Sequence, residues 1–152
     1  RSAHAFGADF VFAIAPAVDV KALQKSDTSE TAKHVPLFEF PTIADINLPK
    51  GCTLVGVELL DEASELPSFT HPERAAYVLG PEKGELSPEL VALCEHVVRI
   101  PTKFCVNVGV AGAILMYDRL LTRGRFAARP VGAGGPTEAP ARHVDGGHRA
   151  KT

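Results

Sequence analysis

Apolar residues along this chain fall into short blocks, separated by glycines, prolines and charged residues, and the blocks predict strands alternating with helices. Residues 9–15 (DFVFAIA) are a run of Phe, Val, Ile and Ala closed by Pro16, the pattern of a buried strand. Ahead of it, residues 1–6 predict the end of a helix with Gly7 as its stop. Residues 18–33 are polar around Ser26, Asp27, Thr28 and Ser29 and predict a short helical turn and a loop. A small strand is expected over 35–40, bounded by Pro36 and Pro41, and a helical turn or two over 42–46 with Thr42 as cap. Residues 52–59 (CTLVGVEL) form a second clear strand, with Gly56 placed where another backbone is expected to come close. After a predicted loop over 62–72, residues 75–79 (AAYVL) form a third strand. Ser87 then opens a helix that runs to about Cys94, with Pro88 in its first turn and Glu89 beside it. Residues 97–100 (VVRI) predict a fourth strand, stopped by Pro101. The longest helix is expected over 107–121, with Val108, Ala111 and Leu115 on its apolar face.

Strands alternating with helices define an α/β domain with a largely parallel sheet. Beyond Pro130 the composition changes: Gly132, Gly134, Gly135, Pro136, Pro140, Gly146 and Gly147 dominate and apolar residues nearly vanish. The folded domain is therefore expected over 1–129, and 130–152 as a flexible Gly/Pro-rich tail. The chain has 152 residues, 45% of them hydrophobic and 22% charged, which suits one globular domain with an apolar core. It does not begin with Met, and its first residues read as the middle of a helix, so further sequence is expected upstream.

The remaining composition excludes more than it assigns. No apolar run reaches the roughly 18 residues a membrane helix needs, and residues 1–7 lack the layout of a secretory signal. Cys52, Cys94 and Cys105 are odd in number and widely spaced, with no CxxC, which predicts reduced thiols and a cytoplasmic setting. The six histidines form no HxH or HExxH grouping, so no metal site is expected. The net charge of −2 gives no global attraction to nucleic acid. Locally, Arg99, Lys103, Arg119, Arg123, Arg125 and Arg129 face a single acid, Asp118. That stretch reads either as a solvated helix face with cations near its C-terminal end or as a phosphate-contacting patch.

Two stretches carry candidate chemistry. In residues 77–87 (YVLGPEKGELS) a buried strand ends, a Gly/Pro-rich loop turns and a helix begins. Ligands of open α/β sheets sit at such carboxyl ends of strands, although a turn leading into a capped helix would look the same. The stretch is neither a Walker loop nor a GxGxxG fingerprint. In residues 98–114 (VRIPTKFCVNVGVAGAI) a strand ends at Pro101 and Asn107 stands at the mouth of a helix rich in small residues. Asn107 suits a helix cap. Gly109, Gly112 and Ala113 would allow close packing against another backbone, this chain's or a partner's.

The pair LGPEKGELS and RIPTKFCVNVGVAGAILMYDRL resembles motifs 2 and 3 of the SpoU-type (TrmH/TrmL-like) RNA 2′-O-ribose methyltransferases of the SPOUT superfamily. Gly80, Glu82, Ile100, Pro101, Asn107 and Val108 match by type and order, and RSAHAFGADFVFAI is similar to the end of motif 1, with Arg1 as its arginine. The similarity extends from Arg1 to about Phe126. The resemblance implies a sheet with helices on both faces and a deep C-terminal trefoil knot, a topology too rare to be expected otherwise. It also implies S-adenosylmethionine as cofactor, held mainly through backbone groups of three loops: Val57 and Glu58, Leu79 and Gly80, then Ile100, Cys105 and Val106. Arg1 would orient the substrate phosphate and help remove the ribose proton, while Glu82 and Asn107 would shape the site. The implied partners are a tRNA or rRNA substrate and a second copy of the chain, with the last helix at the dimer interface.

The chain departs from the family pattern in three places. Cys105 stands where the family often has Ser, and a thiol is a weaker hydrogen-bonding group. Pro81 replaces an Asn common in the family. The Asn-x-Gly-Asn run and the strand that precede the motif 1 arginine are not in this sequence. These departures keep a second reading open, a non-catalytic RNA- or cofactor-binding protein of the same fold. A generic Rossmann-like nucleotide binder is the weaker third, for want of a glycine fingerprint.

Overall fold

A computed structural model describes residues 1–16 and 31–126. The expectations for 18–30 and for the tail over 130–152 lie outside the described residues, as does Arg129.

The chain opens on a short helix, α1 (Ser2–Ala5), which Gly7 ends with φ +70°. Strand β1 (Val11–Ile14) follows and pairs in parallel with β2 (Leu37–Phe40), Val11 opposite Leu37 and Ile14 opposite Phe40. Edge-on ring contacts between Phe10 and Phe38 and between Phe12 and Phe40 knit this pair together. A second sheet holds β3 (Thr53–Val57), β4 (Ser64–Glu65), β5 (Ala75–Leu79) and β6 (His96–Arg99), in the order β4-β6-β3-β5 and parallel throughout. Among the described residues two further helices follow: α2 (Pro88–Leu93) between β5 and β6, and α3 (Val108–Arg123) after β6.

Strand β3 lies between β6 and β5, and its period-2 alternation splits the core in two. Leu54 faces one side with Ala76 and Val78 of β5, against Leu86 and Leu90 of α2 and its approach. Val55 faces the other side with Val98 of β6 and Leu66, against Leu115 of α3. The two helices therefore cover opposite faces, as expected for a parallel sheet. Val55 and Val98 are fully buried and Leu115 is 1% exposed. Each such side chain contributes about 1.5–3 kcal/mol by leaving water.

Most elements fall within a residue or two of their expected places, and the exceptions have local causes. The expected loop over 62–72 contains β4 and a 3₁₀ turn (Leu66–Ser68). A two-residue strand, paired Ser64 to Val98 and Glu65 to Arg99, is too short to show alternation. The turn after Thr42 is 3₁₀ (Ile43–Asp45), and there Thr42 donates to Asp45 from both its N–H (3.0 Å) and its hydroxyl (2.7 Å). Gly56 does not admit a neighbouring backbone. A Cβ there would lie 3.1 Å from Cys94 Sγ and 3.4 Å from Leu86 Cδ1, so the glycine makes room for side chains packed across the sheet.

The order of the strands determines where a ligand can sit. The chain leaves β3 for β4 at one edge of the sheet, crosses to β5 on the other side of β3, then returns through α2 to place β6 between β4 and β3. Such a reversal opens a crevice at the carboxyl ends of the strands. The segments that leave β3, β5 and β6 all meet there.

Candidate active site

Those segments enclose a cavity of about 830 Å³, within the range of small-molecule sites. Val57, Leu79, Ile100, Val106, Val108 and Ala111 form its apolar walls. Glu58, Gly80 and Cys105 also line it, so every residue expected to hold a cofactor is present. Among the residues expected to act on substrate, Glu82 and Asn107 line the cavity too.

Three local devices hold this cleft in shape. Glu58 Oε2 accepts from the Leu86 N–H at 2.7 Å and its Oε1 from the Leu59 N–H at 2.8 Å, so one carboxylate ties the exit of β3 to the far end of the Gly80 loop. Gly80 sits under that tie. A Cβ on it would meet Leu86 N at 3.3 Å and the Glu85 carbonyl carbon at 3.4 Å. Asn107 is the third device. Its Oδ1 caps α3 by accepting from the N–H groups of Gly109 (2.9 Å) and Val110 (3.3 Å), and its Nδ2 donates to Glu82 Oε1 at 2.8 Å. The cap and the inter-loop bond are one side chain. Ser87 caps α2 in the ordinary way, with its hydroxyl accepting from Leu90 N–H at 3.2 Å.

Arg1 is placed differently. It is exposed at the start of α1 and does not line the cavity. Its neighbour Ser2 lines a second, shallower depression against α3, which shares Asn107 with the main cleft and continues over Val110, Ile114 and Tyr117. The structure thus brings nine of the ten expected site residues to one cavity and leaves the arginine outside it.

Sequence reasoning missed a buried polar cluster behind the site. His71 is 2% exposed, with Nδ1 2.6 Å from the Tyr77 hydroxyl and Nε2 2.9 Å from Asp118 Oδ2. Arg119 donates to the Tyr77 hydroxyl (3.0 Å) and to the carbonyls of Pro72 and Glu73 (both 2.7 Å), and Arg123 donates to the carbonyl of His71 at 3.1 Å. A neutral His71 satisfies the set. Tyr77 accepts from Arg119 and donates to Nδ1, while Nε2–H donates to Asp118. Burial pushes the Tyr77 phenol above its ordinary value, against the lowering effect of Arg119. Burial likewise raises the thiols of Cys52 and Cys94.

Three cations of the basic stretch thus have partners within the chain. Half-buried Arg119 and exposed Arg123 clasp backbone carbonyls of 71–73, and Arg99 reaches the Leu60 carbonyl (3.4 Å) and Glu65 (3.3 Å). The HPE run at 71–73 was the available signal: a His-Pro before a strand, with arginines at helical spacing downstream.

Among the described residues no helix is long and apolar enough to cross a membrane, and no three His, Cys, Asp or Glu stand close enough to hold a metal ion. The small residues of α3 are used within the chain at Gly112, where a Cβ would rest 3.8 Å from Leu79. The helix nevertheless leaves an apolar stripe in solvent, Val110, Ile114, Tyr117 and Leu121, which continues back to Val106.

The residues present suit a nucleoside-sized ligand: apolar walls for a ring system, backbone groups of three loops at its edges, and charged groups on its rim. A parallel α/β domain with its ligand cleft at a switch point is the class that the fold and site define. The chain belongs to the SpoU rRNA Methylase family, whose pattern matches residues 1–117. Over 72 residues it is 31% identical to the tRNA (guanosine(18)-2′-O)-methyltransferase TARBP1 of Mus musculus, covering 45% of this chain and 5% of that protein. Its fold matches the SpoU methyltransferase AviRb from Streptomyces viridochromogenes, solved in complex with the cofactor AdoMet, with TM-score 0.68 and 22% identity over 80% of this chain and 53% of that one. It also matches a crystal structure of an RNA 2′-O ribose methyltransferase, with TM-score 0.62 and 25% identity over 80% of this chain and 49% of that one. The chain spans a small part of the curated relative and about half of each solved structure.

Proposed function

We propose that this chain is the catalytic domain of an enzyme that transfers a methyl group from S-adenosylmethionine to a ribose 2′-hydroxyl of tRNA or rRNA. The observation that carries the reading is the Asn107–Glu82 hydrogen bond, which joins the two family motifs across one cleft. When bound, the cofactor supplies an electrophilic methyl carbon. The chain's own residues do the rest. Leu79, Ile100 and Val106 provide apolar walls for the adenine and exclude water, while the backbone of the three loops fixes its edges. Glu82 and Asn107 orient polar groups at the mouth. A ribose hydroxyl is a poor nucleophile at neutral pH, so holding it in line supplies much of the rate. Arg1 orients the adjacent phosphate and assists loss of the proton.

The reading includes a trefoil knot and a homodimer. Support for the knot comes from β6, which is inserted between β3 and β4. Val98 pairs with both Val57 and Ser64, so the connection over 58–63 that joins those strands crosses the carboxyl end of β6, an arrangement compatible with a knot. Support for the dimer comes from the exposed apolar stripe of α3, which a second copy would cover, and from Ser2, next to Arg1, lining the depression on that stripe, so that a partner there would come near Arg1. The three unpaired thiols agree with a cytoplasmic setting.

The placement of Arg1 outside the cavity favours one alternative, a domain that binds cofactor or RNA without transferring methyl. Isothermal titration with S-adenosylmethionine and a radiolabelled methyl-transfer assay on total RNA separate the two. Transfer that Arg1→Ala abolishes, with cofactor affinity kept, is the expected result. Tight binding with no transfer to any RNA would establish the alternative, and absence of binding would refute the enzyme and the cofactor-binding form of the alternative. Mapping the 2′-O-methyl sites lost in a deletion strain then identifies the nucleotide.

A further inference from the structure

Of the charged side chains that line the cavity, Glu58, Glu82 and Glu85 are acidic and Arg99 is the one cation among the described residues. Arg99 is the last residue of β6, in register with Glu65 of the edge strand β4. Its side chain is 28% exposed, and it is steadied from behind by the Leu60 carbonyl at 3.4 Å and Glu65 at 3.3 Å. Both contacts are long for a guanidinium, whose charge-assisted bonds run to about 2.7–2.9 Å. With five N–H donors in a planar fork, such a group is not saturated by these two contacts. It lines an otherwise acidic cleft, one residue before Ile100 of the apolar wall.

Resting on the cofactor reading above, we infer that Arg99 binds the α-carboxylate of the methionyl tail of S-adenosylmethionine and makes the site selective for donors that carry it. The donor has a sulfonium, an ammonium and one carboxylate. The acidic rim suits the two cations, and the carboxylate requires a partner of opposite charge that the three glutamates cannot supply. Arg99 would thus set which way round the donor lies, tail toward β6 and β4, which fixes where its methyl group points.

The test compares two ligands that differ in that carboxylate alone, S-adenosylmethionine and its decarboxylated analogue, by isothermal titration of the 152-residue chain. One charge-assisted hydrogen-bonding pair corresponds to about a ten- to hundredfold preference for the carboxylated donor. Arg99→Met is expected to abolish the preference by weakening S-adenosylmethionine while leaving the analogue's affinity unchanged, and Arg99→Lys to retain part of it. Glu65→Gln, which removes the charge but leaves an oxygen that can still accept from Arg99, keeps the preference. An equal ratio in wild type and Arg99→Met would overturn the inference. So would a parallel loss of both ligands in Arg99→Met, since that assigns Arg99 to holding β4. A wild-type chain that binds neither compound would refute the cofactor reading itself, and this inference with it.

Discussion

Glu58 is expected to work as a strut rather than as a ligand group, and its removal gives a measurable prediction. The carboxylate accepts from Leu86 N–H, beside a side chain that is 6% exposed, and from Leu59 N–H. Hydrogen bonds to a charged acceptor contribute about 1.5–3 kcal/mol, and a buried donor left without a partner costs a further share of its desolvation. Glu58→Ala should therefore destabilise the fold by about 2–4 kcal/mol, out of roughly 5–15 for a domain of this size. Glu58→Gln keeps one acceptor oxygen but turns an NH₂ toward the second donor, so it should cost about half as much. Urea unfolding followed by circular dichroism reads both values, with an unchanged m-value showing that two-state behaviour holds. The alanine variant should also lose at least tenfold in cofactor affinity, because the Gly80 loop is no longer drawn against β3. A Glu58→Ala midpoint within about 0.5 kcal/mol of wild type, or a glutamine variant as unstable as the alanine, would refute the strut.

Two further predictions concern the helix that closes the cleft. Asn107→Ala removes a cap and should destabilise by about 1–2 kcal/mol, whereas Asn107→Asp keeps the cap, sets a second carboxylate against Glu82, and should lower methyl transfer more than stability. Tyr77→Phe tests the buried cluster through pH. Burial raises the folded phenol above its ordinary value near 10, so the folded state holds the proton more tightly than the unfolded chain. That contribution is fully present below pH 10 and is lost as pH rises through the folded value. The phenylalanine variant should be less stable at neutral pH, and its stability should fall less steeply above pH 10. An unchanged alkaline slope in urea titrations counts against the assignment.

The elements that set the fold were legible because each is local. The DFVFAIA and AAYVL runs, the Ser87-Pro88-Glu89 opening and the Asn107 cap each carry their signal within a few residues. The cleft was legible through resemblance, since spacing alone made the Glu82 and Asn107 stretches two separate capped helices. What stayed hidden depends on long-range contact. Strand β4 has two residues and no alternation of its own. Gly56 gives no sign of whether a side chain or a backbone will face it. Arg119 and Arg123 look like solvated cations until the fold brings the carbonyls of 71–73 beneath them, 46 to 52 positions away in the chain.

The buried cluster and the cleft are parts of one device, because α3 belongs to both. At its first turn Asn107 holds the helix to Glu82, and three to four turns later Arg119, Arg123 and Asp118 fasten it to Tyr77 and the segment over 71–73. Tyr77 is two residues upstream of Leu79, where β5 enters the cavity. Helix and strand are thus pinned together at both ends of the apolar layer that contains Leu115. A cleft built only from loops would depend on the ligand to order it, whereas here the scaffold orders the loops before the ligand arrives. Ordering a rotamer-rich side chain on binding costs about 0.5–1.5 kcal/mol each, so a pre-set Glu82 and Asn107 save a cost of that size. The buried His71, which does not line the cavity, then matters to chemistry through the position of a helix.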